Sequence, residues 1–204
     1  MIDSQVEYRS IIMRCDQIDK SAYLEPALNV EFVCYQKGME AVWADIQKNA
    51  GEFAETSASE VTAYFMVRYG SRQSELSKRC IFLKEKSTGR YIGTCMAWFE
   101  QKGTKEVPVL HWLAVDDLYA GKGYARMLIT RVLILFEQLG MELPIYLHTQ
   151  PWSYRAVKLY NDFGFCIAQT DTYGTAVNEY EEAMPVLKKY MTKEAYTKLE
   201  KTKI

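Results

Sequence analysis

The sequence lacks an excess of charge of either sign, and this absence excludes several classes of partner. Its 25 basic and 26 acidic residues give a formal net charge of −1. A chain this close to neutral has no large basic field with which to hold nucleic acid or an anionic membrane. Any anionic ligand must therefore be held by a local arrangement of backbone and side chains.

The sequence also lacks long apolar runs and a pattern typical of a signal peptide. The longest apolar helix candidate, Met127 to Phe136, is interrupted by Thr130 and Arg131. It is shorter than the roughly 20 apolar residues that span a bilayer. Residues 1–10 lack the basic-then-apolar layout of a signal peptide. We therefore expect a cytoplasmic protein with no membrane partner.

Cysteine is present but has no pattern typical of disulfides or metal ligands. The chain has five cysteines, an odd number, and no two have C-x-x-C spacing. We interpret them as reduced, buried small hydrophobes. Because no cluster of His, Cys, Asp and Glu has ligand spacing either, no metal is predicted.

Strand and helix patterns alternate along the chain and predict one layered α/β or α+β domain over residues 1–204. Turn residues separate the patterns, and Pro185 is expected to break or restart the C-terminal helix. The predicted elements, in chain order, are a strand at 8–15, one or two helices within 24–50, a helix from Ser57 or Ser59 to Tyr69, strands at 79–84, 91–100 and 107–115, a helix at 121–139, a strand at 145–149, a helix at 153–163, a strand at 165–170 and a helical extension at 174–204.

The segment from Leu110 to Leu139 carries a chemical signal, because a buried strand, a polar turn and a helix follow one another there. Small residues alternate through Gly121–Ala125, which lets the backbone approach a ligand closely. The first helical turn has N–H groups without partners and the positive end of the macrodipole. This combination suits a phosphate or pyrophosphate, and Lys122 and Arg126 can add charge at its rim.

The glycine-rich turn alone is open to other interpretations. The Walker pattern is absent, since no GK[ST] occurs, and Gly121-x-Gly123 lacks the third glycine of the dinucleotide fingerprint. A tight turn that needs glycine only for its backbone fits these residues equally well. A nucleotide-binding α/β domain of another kind is a further alternative.

A second motif changes the balance between these interpretations. Residues 153–165 read SYRAVKLYNDFGF, a helix with one apolar face that ends at Gly164. Together with AGKGYA at 120–125, this segment resembles the Gcn5-related N-acetyltransferase (GNAT) superfamily. Members of that superfamily carry a Q/R-x-x-G-x-G/A turn and, further on, an N-x-x-A-x-x-L-Y-x-x-x-G-F helix. The resemblance covers residues 79–170.

The resemblance implies a fold, a co-substrate and a set of binding residues. The fold is a three-layer acyltransferase with a central mixed, mostly antiparallel twisted sheet of about six to seven strands flanked by helices. The co-substrate is acetyl-coenzyme A, and the partner is an amine acceptor, either a small molecule or a peptide. A homodimer is an expectation at the family level. The implied coenzyme A-binding residues are Leu113, Ala114, Val115, Ala120, Gly121, Lys122, Gly123, Tyr124, Ala125, Arg126, Thr149, Ser153 and Lys158.

Two of these positions depart from the family pattern. Ala120 stands where Gln or Arg is usual, and Ser153 stands where Asn is common. The backbone cradle survives the first change, because amide groups do most of the binding. The second change leaves a shorter polar group for the pantetheine arm. Whether the two changes weaken cofactor binding is left open by the sequence.

Three residues are candidates for the chemistry of transfer. Tyr160 matches the family tyrosine that protonates the departing thiolate, and its alternative is a core tyrosine with a satisfied hydroxyl. His111 is the first candidate base, since it titrates near neutrality and lies two residues before Leu113, on the same face of a regular strand. Glu100 is the second. Their alternatives are a satisfied, partly buried histidine and a solvated strand end.

The predicted activity is N-acetylation by direct attack of a primary amine on the thioester in a ternary complex. The runner-up is a non-catalytic acyl-coenzyme A-binding or regulatory protein on the same fold. The acceptor itself is not readable, since residues 20–78, which would form its pocket, carry no motif.

Overall fold

The computed structural model describes residue 3 and residues 5–204, and within them seven strands and seven α-helices. The strands are β1 (Ile11–Cys15), β2 (Val30–Cys34), β3 (Cys80–Glu85), β4 (Tyr91–Lys102), β5 (Lys105–Val115), β6 (Ile145–Thr149) and β7 (Cys166–Ile167). The helices are α1 (Glu40–Asn49), α2 (Ala58–Tyr69), α3 (Gln73–Arg79), α4 (Tyr124–Gln138), α5 (Tyr154–Asp162), α6 (Tyr180–Tyr190) and α7 (Lys193–Lys201).

The strands form one mixed sheet in the order β2-β3-β4-β5-β6-β1-β7. The β2–β3, β3–β4, β1–β6 and β1–β7 pairs are antiparallel. The β5–β6 pair is parallel, with Val109 opposite Tyr146. This mixed, mostly antiparallel sheet with its accompanying helices confirms the predicted fold class.

The chain divides into two compact units. The first comprises Leu24–Trp98 and Leu110–Leu135, and the second comprises Phe99–Val109, Phe136–Ile204 and the described residues before Leu24. The prediction of one domain was made from the sequence alone and stays a prediction.

An aromatic core lies inside the first unit, between α1, α2 and the sheet. Trp43 of α1, Phe65 of α2 and Tyr69 of α2 are fully buried. Helix α2 begins at a capping box, in which the Ser57 hydroxyl accepts from the Glu60 N–H and the Glu60 carboxylate accepts from the Ser57 N–H at 3.0 Å. The start and end of this helix were both predicted.

The prediction of helix throughout residues 24–50 was wrong in its first half. Val30–Cys34 is strand β2, which pairs with β3 so that Val30 lies opposite Glu85 and Phe32 opposite Leu83. The apolar spacing there fits a helix, but the segment is rich in β-branched and aromatic residues that suit a pleated surface. Helix α1 starts only at Glu40, after Gly38 at φ +101°.

The second unit has its own apolar cluster, centred on Ile12, Val109 and Tyr146. Its C-terminal part is a pair of helices, α6 and α7, within the predicted helical extension, but the break between them is not at Pro185. Pro185 lies inside α6 and does not end it. Buried residues of α6, including Leu187, hold the helix together despite the hydrogen bond that proline removes. The break comes at Thr192, whose hydroxyl caps α7 by accepting from the Ala195 N–H.

The five cysteines are free, and most of them fit the expected burial. Cys80 and Cys95 are fully buried, and burial raises the pKa of both thiols. Cys166 is half-buried, and Cys34, which ends the edge strand β2, is exposed. An edge strand has a partner on one side only, so its last residue keeps contact with solvent.

Asp171 links three strands of the second unit. Its carboxylate accepts from Arg14 Nη1 at 2.9 Å, from the Tyr146 hydroxyl at 3.0 Å and from Lys102 Nζ. Partial burial alone would raise the pKa of this carboxyl, but the three donors outweigh it and lower the pKa to about 2.

We therefore predict that Asp171→Asn lowers the free energy of unfolding by about 1–2 kcal/mol at pH 7. The pKa is lower in the folded state than the ~3.9 of an unfolded aspartate, so the stabilisation is complete above pH ~4 and disappears as the pH falls towards about 2. Denaturant unfolding at several pH values measures this. Asp16→Asn, which removes a more exposed partner of Arg14, is the control and should change stability by less than about 0.5 kcal/mol. A loss that persists undiminished at pH 2 would contradict the linkage.

Candidate active site

The turn between β5 and α4 is held by the buried carboxylate of Asp116. It accepts from Arg90 Nη2 at 2.8 Å and from Asn49 Nδ2 at 3.0 Å. Its other oxygen accepts from the Leu118 N–H at 3.0 Å, and its own N–H donates to the Ile92 carbonyl at 2.9 Å. The course of the chain from the end of β5 into the glycine turn is therefore fixed from several sides.

Two glycines adopt left-handed backbone conformations in this turn. Gly121 has φ +77° and Gly123 has φ +82°. A Cβ at Gly121 would meet no atom within 4 Å, whereas one at Gly123 would lie 3.1 Å from Leu24 Cδ2. Side chains at these positions would be strained whatever the space around them. The positive φ angles thus explain why both positions in the predicted turn are glycine.

Helix α4 begins directly after the turn. The N–H of Met127 donates to the Gly123 carbonyl at 3.1 Å, so the helical ladder starts here. The earlier N–H groups of an α-helix point towards its N-terminal end, where the macrodipole is positive. At 15 residues, α4 is long enough for a developed dipole, and its start is an arrangement that suits a phosphate group.

The predicted polar and small residues around this turn occupy different environments. Lys122 is exposed, with its ammonium 4.9 Å from the centre of the Tyr119 ring. Arg126 and Ala125 are half-buried in the first turn of α4, while Tyr124 is buried and its hydroxyl accepts from Asn29 Nδ2 at 3.1 Å. Ala120 has extended backbone.

The packing of α4 on the sheet depends on Gly93 of β4. A Cβ there would come within 2.9 Å of Leu128 Cδ1 and 3.0 Å of the Ala114 carbonyl oxygen. Neither the sheet nor the helix has room for that atom. Gly93 therefore places α4 close to Ala114 and Val115, which the sequence analysis assigned to cofactor binding.

The end of β5 contains an irregularity that the sequence did not reveal. Trp112 has φ +53°, the single left-handed non-glycine residue in the described part of the chain. Its carbonyl accepts from Nε2 of Gln47, a fully buried residue of α1, at 3.2 Å. A left-handed residue within a strand interrupts the regular alternation of side chains, as at a β-bulge.

This irregularity changes the surroundings of His111. Neighbouring side chains on a regular strand point to opposite faces. Here the His111 and Trp112 rings instead stack, with centroids 5.5 Å apart and planes inclined by 21°. The prediction that His111 shares a face with Leu113 rests on an alternation that does not hold at Trp112. His111 Nδ1 is 3.3 Å from the Tyr69 hydroxyl oxygen. That oxygen accepts a hydrogen bond from Trp112 Nε1 at 2.7 Å.

Aromatic rings continue from this group towards solvent. Phe53 stacks on Trp112 at 5.6 Å, and Tyr64 meets Trp112 edge-on at 5.8 Å. Tyr64 is 41% exposed, and the other two rings are half-buried. These three side chains form a solvent-facing aromatic surface beside His111.

The remaining predicted site residues belong to the second unit. Tyr160 is buried on α5, with its ring edge-on to Phe165 at 6.1 Å. Thr149 is buried at the end of β6, opposite Ile11. Ser153 directly precedes α5, and its side chain makes no cap hydrogen bond.

Lys158 and Glu100 have neighbours inside that unit. Lys158 is 3.0 Å from the carboxylate of Asp162, one helical turn along α5. Glu100 is half-buried near the end of β4, and its carboxylate lies beside Gly174. The roles assigned to both residues from the sequence stay predictions.

Four residues that organise this region were not predicted from the sequence: Asp116, Gly93, Gln47 and Tyr69. A polar residue directly after a buried strand is a recognisable sign of a turn anchor, so Asp116 carried a signal that could have been used. Gly93 also carried one, because an isolated glycine within a strand pattern suggests close backbone approach. Gln47 and Tyr69 carried none, since their roles depend on partners more than 40 residues away.

With this geometry established, comparison with known proteins identifies the class. A model of the acetyltransferase (GNAT) family matches residues 39–165, which is more than half of the chain. The chain therefore belongs to the GNAT family. No curated protein matches it significantly in sequence.

Solved structures agree on the fold. A GCN5-related N-acetyltransferase from Sphaerobacter thermophilus superposes with a TM-score of 0.59 at 17% identity, over 81% of this chain and 50% of its own. A GNAT-family acetyltransferase from Colwellia psychrerythraea gives 0.58 at 13% identity, over 79% and 53%. A tandem GNAT protein from the clavulanic acid biosynthesis pathway gives 0.55 at 10% identity, over 80% and 51%. The chain spans about half the length of these structures.

The described residues contain neither a membrane-spanning helix nor a cluster of metal ligands. None of their helices has the length and apolar character needed to cross a membrane. In the same part of the chain, His, Cys, Asp and Glu side chains do not gather in threes as metal ligands would.

The hydrogen bond from Gln47 to Trp112 generates a prediction about the strand irregularity. Gln47→Leu leaves the Trp112 carbonyl without this donor, so we expect a loss of about 1 kcal/mol in the free energy of unfolding. The loss is moderate because Gln47 Oε1 is itself buried without a hydrogen-bond partner among the described residues, and leucine removes that acceptor. Denaturant unfolding measures the change, with the exposed Gln36→Leu as control. Equal or greater stability of Gln47→Leu would show that the left-handed backbone does not depend on this bond.

Proposed function

We propose that this protein transfers an acetyl group from acetyl-coenzyme A to the primary amine of an acceptor. The observation that carries the proposal is the β5–turn–α4 segment, in which left-handed Gly121 and Gly123 lead into the start of a 15-residue helix. Membership of the GNAT family gives this segment its chemical meaning. The family implies an amine acceptor, whereas the use of acetyl rather than a longer acyl group is part of the proposal.

Backbone groups are proposed to hold the cofactor. The N–H groups at the start of α4 and in the turn would bind the pyrophosphate, with Lys122 at the rim. The backbone of Leu113–Val115 would bind the pantetheine arm, and its N–H groups would stabilise the negative charge that develops on the thioester oxygen. Thr149, Ser153 and Lys158 are proposed as further contacts of the cofactor. Acetyl-coenzyme A supplies the activated acyl group.

Two proton movements accompany the transfer. Tyr160 is proposed to donate its hydroxyl proton to the departing thiolate as a general acid. The attacking amine must lose a proton, and His111 and Glu100 are the two candidate acceptors, directly or through water. The reaction is a single displacement in a ternary complex.

Cofactor binding is tested first at the turn. Gly123→Ala places a Cβ at φ +82°, 3.1 Å from Leu24, so we expect a rise of about 10-fold or more in the Kd of coenzyme A by calorimetry. Gly103→Ala is the control for backbone strain, because Gly103 is also left-handed, with φ +61°, but lies in the β4–β5 turn, where a Cβ would meet no atom within 4 Å. A similar effect of both substitutions would attribute the change to general strain and contradict the assignment.

Turnover is then tested with Tyr160→Phe. We expect kcat to fall by about 10²-fold with little change in coenzyme A affinity, because the phenol acts on the leaving group and not on binding. Release of free thiol from acetyl-coenzyme A measures kcat over a panel of amines that includes aromatic ones, chosen for the surface formed by Phe53, Tyr64 and Trp112. Tyr154→Phe on the same helix is the control, since its ring stacks on Tyr190.

The same assay separates the two candidate functions. Coenzyme A binding without thiol release for any amine would identify a non-catalytic acyl-coenzyme A-binding protein. The substitution of Ala120 for the usual Gln or Arg is the feature that keeps this alternative in view. Unchanged turnover of Tyr160→Phe at all pH values would remove the acid role from Tyr160.

A further inference from the structure

The Tyr69 hydroxyl has two nitrogen contacts, Trp112 Nε1 and His111 Nδ1. Tyr69 is fully buried, and burial raises the pKa of its phenol, so the hydroxyl keeps its proton. Trp112 Nε1 donates to the Tyr69 oxygen at 2.7 Å. An indole N–H is a donor only, so Trp112 cannot accept the Tyr69 proton.

The remaining contact of that hydroxyl is with His111. A phenol has one proton to donate and two lone pairs that accept. A buried hydroxyl proton needs an acceptor, and of the two nitrogens only His111 Nδ1, 3.3 Å away, can accept it. A proton on Nδ1 would leave the Tyr69 proton without an acceptor at either nitrogen. In neutral His111, Nδ1 is consequently the acceptor and Nε2 carries the proton.

Neighbouring rings hold the imidazole in this arrangement. His111 stacks on Trp112, whose own orientation follows from the left-handed backbone and the hydrogen bond to Tyr69. Tyr69 in turn meets the Trp98 ring edge-on at 4.9 Å. Rotating the imidazole out of its plane would break the stacking as well as the hydrogen bond.

We propose that Tyr69 is a positioning residue that fixes His111 in the Nε2–H tautomer, so that His111 presents a hydrogen-bond donor and not a proton acceptor at Nε2. A general base needs a free lone pair directed at the proton it takes. The lone pair of neutral His111 is on Nδ1 and faces Tyr69. Resting on the proposed acetyl transfer, this leaves Glu100 as the remaining one of the two candidate bases and leaves His111 to donate a hydrogen bond.

The tautomer can be measured on the wild-type protein. The chain has two histidines, so side-chain ¹H–¹⁵N correlation spectra of a ¹⁵N-labelled sample are simple, and His148→Gln assigns them. At pH 8, where an ordinary histidine is neutral, we expect a pyrrole-like shift for His111 Nε2 and a pyridine-like shift for Nδ1. A protonated Nδ1, or a mixture of both tautomers, would overturn the proposal without the use of any variant.

Variants then test whether Tyr69 fixes the tautomer of His111. Tyr69→Phe removes the donor to Nδ1, so the two ¹⁵N shifts should move towards the average of the two tautomers. Tyr64→Phe is the control on the same helix, because its ring also contacts Trp112, and it should leave the pattern unchanged. If Tyr69→Phe does not fold, Trp112→Phe removes the N–H that orients the Tyr69 hydroxyl and should likewise admit the second tautomer. An unaltered pattern in the folded variant would show that Tyr69 is not the cause.

The proposal also predicts effects on kcat, which are measured independently of the ¹⁵N shifts. Glu100→Gln should lower kcat by about 10²-fold, as expected for loss of a general base. His111→Gln keeps an N–H donor near the position of Nε2 and should lower kcat by less. The reverse order would overturn the assignment of Glu100. A protein that shows the predicted tautomer but no turnover would refute the proposed function and leave the hydrogen-bonding assignment intact.

Discussion

The buried carboxylate of Asp116 is the interaction on which the candidate site depends. It ends β5, receives hydrogen bonds from Arg90, Asn49 and the backbone of the following turn, and so fixes the direction in which the chain leaves the sheet. The two left-handed glycines and the start of α4 follow within ten residues. A negative charge removed from water is tolerated only where donors surround it, and those donors come from three separate segments of the first unit.

The same unit shows how a single backbone irregularity reorganises side chains. The left-handed conformation of Trp112 brings its ring alongside that of His111, and Gln47 holds the carbonyl between them. Tyr69 then accepts a hydrogen bond from the Trp112 N–H and, in the proposed tautomer, donates one to His111. A histidine that the strand pattern marked as a base thus belongs to a network in which its lone pair is already used.

Most elements near the two motifs could be predicted because their signals are local. Glycine after α4 and α5, the capping box at Ser57 and the turn between β3 and β4 each act over a few residues. Strand β2 could not be predicted, because Val30–Cys34 fits helical spacing as well, and only pairing with β3 decides it. The prediction of a break at Pro185 was wrong for a similar reason. Burial of residues in α6 outweighs the local cost of proline.

The sequence by itself determined the order of strands and helices over residues 79–170, the glycine turn, the family and the residues that its motifs mark. These are properties of composition and short-range spacing, which are present before folding. The tertiary structure alone decided that Asp116 anchors the turn, that Gly93 admits α4, and that Tyr69 and Gln47 organise the end of β5. Each of these depends on hydrogen bonds or contacts between residues far apart in the chain, and no local pattern specifies which distant groups will meet.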